Sequence, residues 1–312
     1  MSHNLAQMVG ELAHKIFGVV PVDVDRISLG VMTHKFAVNL PNGACYVFRF
    51  YPPSREGVVE YEPDLLRRCH QAGVGAPEVV ADSRTGPRAE MNYVVYRMIQ
   101  GTPLVSRLSS FSPETLGRIA RDVVQRLEML AQIPVSGQGD LVTADRGRFD
   151  TFSEFLDRSF AAGLKIAEQN RLWHRETIEI LRTIAQNAIA RTREERVVLA
   201  WGDLSAENIL IDSNNEVAGL VDFEGVIAAS PLLNLGYACA RYYGSAFFDA
   251  LRQAWKEPLH ENEWYWIHFY CVLRAVRLVQ FAAEPLPTGH SRTVIEDLLP
   301  GFQPAIKALS EK

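Results

Sequence analysis

Cysteine is scarce in this chain of 312 residues, with only Cys45, Cys69, Cys239 and Cys271. Their scatter fits neither a zinc site nor a disulfide framework, and they read as buried thiols of a reducing cytoplasm. No apolar run approaches the roughly 18 residues that would span a bilayer; the stretch over 226–240 is broken by Pro231 and Asn234. Residues 1–15 place histidine, glutamine and glutamate where a signal peptide needs an unbroken apolar core, so a cytoplasmic location is expected. Basic charge is not in excess either: the net charge is −5 and the isoelectric point lies near 5.9. That balance argues against a nucleic-acid partner, as the missing span argues against a membrane. Phosphate-binding Gly-x-x-x-x-Gly-Lys-Ser/Thr and dinucleotide-binding Gly-x-Gly-x-x-Gly strings are both missing, and His260 and His268 lack the spacing of a zinc helix.

What is present is globular in proportion, with 47% hydrophobic and 22% charged residues, and long enough for two domains. Charge is unevenly distributed: residues 200–312 carry a net −6. Such an acidic third serves solubility or attracts a cationic ligand.

Residues 26–40 and 44–51 are rich in β-formers and flank Pro41-Asn42-Gly43, a hairpin signal. An amphipathic helix is expected over 63–71, with Pro63 in its first turn and Gly73 past its end. Residues 77–80 and 92–96 read as strands, and Gly101-Thr102-Pro103 ends that pattern. Ser112, Pro113 and Glu114 then open a helix. Its buried face is Leu116, Ile119, Ala120, Val123, Val124, Leu127 and Leu130. Residues 134–150, with glycines at 137, 139 and 147, read as loop. Helices are expected over 151–168 and 174–192, a strand over 197–200, and helices again in the last sixty residues. The fold class expected is α+β, with a β-rich lobe over 1–99 and a helical lobe over 100–312. Trp264, Tyr265, Trp266, Phe269 and Tyr270 read as core of the helical lobe rather than a ligand wall.

The densest chemistry lies between residues 200 and 224. Asp203 follows a short apolar strand and Gly202, so it stands in a loop. Asn208 opens the apolar run Ile209-Leu210-Ile211, Ser213-Asn214-Asn215 turns the chain, and residues 217–221 bring it back to Asp222. A hairpin of this length returns its far end to its start, so Asp203, Asn208 and Asp222 converge. A carboxylate and an amide oxygen are hard ligands suited to Mg²⁺. A second carboxylate can orient a hydroxyl and accept its proton as it attacks phosphorus. Any one of these residues alone is an ordinary turn former; the whole string points to phosphoryl transfer.

Gly202-Asp203-(four residues)-Asn208 with Asp222-Phe223-Glu224 resembles the catalytic core of the aminoglycoside phosphotransferase family. These are small-molecule kinases distantly similar to protein kinases, and the likeness extends over most of the chain. It implies a bilobal, protein-kinase-like fold. Gly30 falls where the family places its nucleotide-covering loop. Arg49 takes the place of the basic residue that contacts the nucleotide phosphates, and Glu62 that of its acidic partner. Arg97, Met98 and Ile99 fall in the strand and hinge whose backbone meets adenine. Asp203 takes the catalytic-base role, Asn208 and Asp222 hold Mg²⁺, and ATP (or GTP) is the donor. Four positions depart from the pattern: Trp201 replaces a histidine, Arg49 the lysine of protein kinases, Gly30 is a lone glycine, and Asn234 stands where aspartate is favoured.

The implied activity moves the γ-phosphate to a hydroxyl of a small polar molecule. Gln138-Gly139-Asp140, ahead of the aromatic stretch 152–160, is loosely similar to hygromycin phosphotransferases, and an aminated sugar suits the acidic last third. Glu224, Glu261 and Glu263 are the candidate acceptor contacts. A metabolic sugar or choline-like alcohol kinase is the alternative, as is a non-catalytic binding protein of kinase-like fold. A protein kinase is disfavoured: Trp201-Gly202-Asp203 replaces His-Arg-Asp, and no Ala-Pro-Glu follows Asp222.

Overall fold

The computed structural model describes residues 2–28, 32–191, 196–255, 258–282 and 298–311; Gly30 lies outside the described residues. The chain begins with helix α1 (Ser2–Phe17), then β1 (Asp23–Ile27), β2 (His34–Asn39) and β3 (Cys45–Tyr51). A short α2 (Glu56–Val59), α3 (Glu62–Gln71), β4 (Val79–Asp82) and β5 (Asn92–Arg97) follow. The five strands form one antiparallel sheet in the order β1-β2-β3-β5-β4.

Alternation along β3 sorts its residues between two cores. Phe48 and Phe50 face outward, where Val9, Leu12 and Ala13 of α1 cover them together with Phe36, Val38, Tyr93 and Val95. Val47 and Tyr51 face inward and join Leu65, Leu66 and Cys69 of α3 in the larger core that continues into the helices. Arg49 lies on that inner face, by the two-residue period of a strand.

The helical part carries β6 (Thr102–Pro103), α4 (Pro113–Gln132), β7 (Gln138–Thr143), β8 (Arg146–Phe149), α5 (Phe152–Gln169) and α6 (Arg175–Ala190). Next come β9 (Val198–Trp201), β10 (Ile209–Ile211), β11 (Val217–Leu220), β12 (Val226–Ala229), α7 (Leu232–Tyr242), α8 (Ala246–Ala254), α9 (Glu261–Ala282) and α10 (Phe302–Ser310). The short strands form sheets ordered β11-β10-β6 and β8-β7-β12-β9. Ser112 caps α4 by accepting from the Thr115 amide at 3.2 Å. Tyr265, Trp266, Phe269 and Tyr270 are core residues of α9. Among the described residues no helix is long and apolar enough to cross a membrane.

Residues 134–150 are not loop; most of them form the β7–β8 hairpin. The glycines there are demanded by close packing rather than by a free chain. A Cβ on Gly139 would lie 2.7 Å from the Phe155 ring, and one on Gly147 would lie 2.6 Å from the Gln138 carbonyl oxygen. Bulges in the register accommodate them.

Arg126 of α4 ties the sheet region to the β10–β11 hairpin. Its guanidinium donates to the Val74 carbonyl (3.3 Å), the Val217 carbonyl (2.9 Å) and Asp122 (2.7 Å). Gly75 lies against it with φ +88°, its carbonyl accepting from the Leu220 amide at 3.0 Å. A Cβ on Gly75 would collide with the Arg126 guanidinium, whereas one on Gly73, also left-handed at φ +75°, meets only Met129 at 4.0 Å. Both alanine substitutions carry backbone strain of about 1–3 kcal/mol. Gly75→Ala should therefore lower the urea midpoint more than Gly73→Ala, the excess reporting the displaced Arg126.

Candidate active site

Strands β9 and β12 run antiparallel with Trp201 opposite Val226, so the loop leaving β9 and the loop entering β12 start side by side. The approach is closest between two glycines. A Cβ on Gly202 would collide with the Gly225 carbonyl oxygen, and one on Gly225 would lie 3.1 Å from the Asp203 Cβ. From the other side the Val221 amide donates to the Asn208 carbonyl at 2.9 Å. These contacts bring the loops carrying Asp203, Asn208 and Asp222 together.

Asp203 is held at both carboxylate oxygens. Asn208 Nδ2 donates to Oδ2 at 2.9 Å and also to the Asp203 carbonyl at 3.2 Å. Arg274, from α9, donates to Oδ1 at 2.7 Å and to the Gly202 carbonyl at 3.2 Å, while its guanidinium lies 5.0 Å from the Tyr237 ring centre. Each carboxylate oxygen has a second lone pair, so the side chain can still accept from a hydroxyl. With its nitrogen turned to Asp203, Asn208 keeps its amide oxygen, an acceptor and potential metal ligand, for other partners.

Asp222 has φ 67° and ψ 66°, the left-handed region, where aspartate and asparagine are among the few tolerated side chains. Its carboxylate meets Arg49 Nη2 at 3.0 Å and Lys35 Nζ at 3.3 Å. Burial alone would raise its pKa, but Arg49 and Lys35 outweigh burial and hold it at about 2. Arg49, 2% exposed, also donates from Nη1 to Glu62 (2.7 Å), from Nη2 to Glu224 (2.7 Å) and from Nε to Thr33 Oγ1 (3.1 Å). Glu62 is fully buried and accepts a further bond from the Tyr51 hydroxyl. Burial pushes its pKa up to about 7 against the opposing pull of Arg49. Burial likewise raises that of Glu224, with Arg49 opposing.

Trp201, standing where the family favours histidine, is wholly buried and stacks on Phe223. Its indole N–H makes a long 3.4 Å bond to the Asp222 carbonyl, so it braces the neighbouring acid loop. The Trp201 amide donates to Asn234 Oδ1 at 2.8 Å, and Asn234 Nδ2 donates to the Pro231 carbonyl at 3.2 Å. An aspartate at 234 would keep the first bond and lose the second.

The other candidate residues are placed as follows. Arg97 and Met98 direct their amides to the carbonyls of Glu78 and Cys45, and the Arg97 side chain pairs with Glu78 at 3.0 Å. Ile99 follows them with its side chain against Gly219. Glu224 turns its carboxylate inward to Arg49. Glu261 and Glu263 begin α9, eleven or more residues before Arg274, about 16 Å or more along the helix axis. Glu263 accepts from the His260 amide at 2.8 Å. Lys35, Tyr51 and Arg274 were not marked by the sequence reading. Arg274 and Arg277 did leave a signal: two arginines one turn apart among the buried Cys271, Val272, Leu273, Ala275 and Val276. Arg277 binds Asp140 of β7 at 2.5 Å.

Among the described residues no group of three or more His, Cys, Asp or Glu converges as an all-protein metal cage would require. Mg²⁺ asks for less, one or two carboxylates with water and phosphate completing the octahedron. An Asp222 carboxylate ionised down to about pH 2, next to Val221 whose amide bonds the Asn208 carbonyl, fits that demand together with the Asn208 amide oxygen.

The model of the phosphotransferase enzyme family matches residues 23–270. A search of curated proteins finds no match. Among solved structures, a thermostable mutant of aminoglycoside phosphotransferase APH(4)-Ia, in ternary complex with AMP-PNP and hygromycin B, superposes with a TM-score of 0.71 at 17% identity, covering 97% of each chain. The GDP complex of aminoglycoside 2'-phosphotransferase-IIIa gives 0.67 at 17% identity, covering 98% of this chain and 97% of that one. A Thermobifida fusca structure named as a fructosamine-3-kinase gives 0.67 at 15% identity, covering 97% and 99%. At these identities the likeness is one of fold, and it is the kinase-like fold expected from the sequence.

The Glu62 carboxyl gives the site a pH signature. Its folded pKa of about 7 lies above its ordinary 4.5, so the folded chain holds a proton there that the unfolded chain has released. That stabilisation is complete below pH 4.5 and is lost as pH rises through 7. Urea midpoints of the wild type should decline from about pH 5 to about pH 8, and Glu62→Gln should flatten that decline. An unchanged slope in the variant would assign the proton elsewhere.

Proposed function

The chain belongs to the phosphotransferase enzyme family, and from that premise we propose that it transfers the γ-phosphate of a Mg²⁺-bound nucleotide to a hydroxyl of a small polar molecule. The observation that carries this reading is the joining of Asp203, Asn208 and Asp222 at two abutting loops. Residues 1–99 would hold the nucleotide and residues 100–312 the acceptor, with Ile99 at the hinge meeting the base. ATP is the first donor to assay and GTP the second, since one structural neighbour holds AMP-PNP and another GDP.

Asp222 and the Asn208 amide oxygen would hold Mg²⁺, which neutralises charge on the phosphates when bound. Asp203 accepts the acceptor's hydroxyl proton through a lone pair left open by Asn208 and Arg274. Those two fix the direction of its carboxylate, so little reorganisation remains at the moment of transfer.

An aminated sugar is the acceptor class suggested by hygromycin B in the neighbouring complex. A second reading, a metabolic sugar or alcohol, is favoured by one observation: carboxylates on the acceptor side already face arginines of this chain. Asp203 pairs with Arg274, Asp140 with Arg277, Glu207 with Arg241 and Glu224 with Arg49. A panel of aminoglycosides, sugars and choline, assayed at low and high salt, separates the two. A cationic acceptor held by exposed carboxylates loses affinity as salt screens the pairs; a neutral one does not.

Asp203→Asn should leave nucleotide affinity near the wild-type value and lower turnover by about 10²–10⁴-fold. Near-normal turnover would remove Asp203 from the chemistry. Asp222→Ala should weaken metal–nucleotide binding and abolish transfer, and Asn208→Ala should do so less completely. EDTA should stop transfer in the wild type; transfer that survives it contradicts both metal assignments.

A further inference from the structure

Arg49 stands where the family resemblance puts the cation for nucleotide phosphates, yet it is closed in on every side. Its donors reach Thr33, Glu62, Asp222 and Glu224 at 2.7–3.1 Å, and 2% of the side chain is exposed. A guanidinium is a rigid fork, so turning one edge toward a phosphate turns the others away. That movement would take the Arg49 hydrogen bond away from Glu62, itself fully buried, an expensive loss.

Lys35 is the register partner of Arg49 across β2 and β3. Directly opposed residues of an antiparallel pair project from the same sheet face with Cβ atoms about 5 Å apart. The neighbours of Lys35 agree: Phe36 points into the outer core under α1, which leaves Lys35 on the inner face beside Arg49. Its ammonium makes one 3.3 Å pair with Asp222, and its side chain keeps 14% exposure. An ammonium on a flexible stem has three rotatable donors. It can leave Asp222 without uncovering a buried acid, because Arg49 remains on the other carboxylate oxygen. A cation touching the proposed metal ligand also borders whatever phosphate that metal holds.

We propose that Lys35, and not Arg49, binds the phosphates of the nucleotide, while Arg49 is the buried tie that positions Glu62, Asp222 and Glu224. The proposal rests on the phosphotransferase reading above. Its test is direct binding to the full chain of Mg-AMP-PNP or Mg-GMP-PNP, whichever the wild type prefers, beside the matching nucleoside without phosphates. Lys35→Met should weaken the triphosphate analogue on the order of ten- to a hundredfold, the loss of one charge-assisted contact. Nucleoside affinity and the melting temperature should stay at wild-type values, and Lys35→Arg should recover most of the loss. Arg49→Lys should instead lower the melting temperature; because that variant risks not folding, the proposal is judged on Lys35. Unchanged analogue binding in Lys35→Met overturns it, as does an equal loss for the nucleoside. A wild type that binds neither analogue overturns the phosphotransferase reading together with the proposal, whereas a wild type that binds and a Lys35→Met that binds equally well sinks the proposal alone.

Discussion

One guanidinium holds a strand and the helix that follows it to a loop more than 170 residues further along the chain. Arg49 of β3 meets Glu62 at the start of α3 and both Asp222 and Glu224 of the loop before β12. Removing these charges from water is costly, and the return depends on each donor finding its acceptor. The arrangement therefore tolerates few alternatives: a slipped strand or a shifted helix would leave a carboxylate buried without a cation. Tyr51 and Thr33 complete the hydrogen bonding around the cluster. Asp222 can hold its left-handed backbone because Arg49 and Lys35 anchor its side chain and Trp201 reaches its carbonyl.

Asp203 is fixed from a different direction. Arg274 ties Asp203 to α9, and Arg277 one turn later ties the same helix to Asp140 on β7. The bulged β7–β8 hairpin, the loop after β9 and the long helix thereby share one framework. Four of the acids in residues 200–312 face inward to arginines: Asp222 and Glu224 to Arg49 from the first half of the chain, Asp203 to Arg274 and Glu207 to Arg241. What looks in composition like an acidic surface is in part a set of structural ties.

Much of this was legible in the sequence because it is local. The string from Gly202 to Glu224 carries its own hairpin, turn and polar ends, and it pointed to the family to which the chain belongs. Helix α3 announced itself by Pro63 and Gly73, and α4 by its cap and apolar spacing. What stayed hidden depends on pairing across distance. Lys35 becomes notable only once β2 is in register with β3, and Arg274 only once α9 lies beside Gly202. The glycines at 137, 139 and 147 misled because glycine marks both a free loop and a close approach, and only the packed neighbours Phe155 and Gln138 tell which. Helix α1 is marked only by Leu5, Met8, Val9, Leu12, Ala13 and Ile16 at a helical period, and the face they make has a purpose only once the outer side of the sheet is there to meet it.

The covering of the sheet by α1 has a consequence for the chain as it leaves the ribosome. Among the described residues the apolar cluster under α1 ends at Val95, so the outer half of the sheet can complete itself once that point has emerged. The inner half cannot. Arg49 waits for Asp222 and Glu224, 173 and 175 residues further on, and β6 waits for β10. At ordinary rates of synthesis the interval is on the order of ten seconds. Throughout it the nascent protein carries a finished back and a front covered only by α3, an apolar face on which Arg49 has Glu62 but still lacks Asp222 and Glu224. That front is the surface a chaperone or a second nascent chain would meet first.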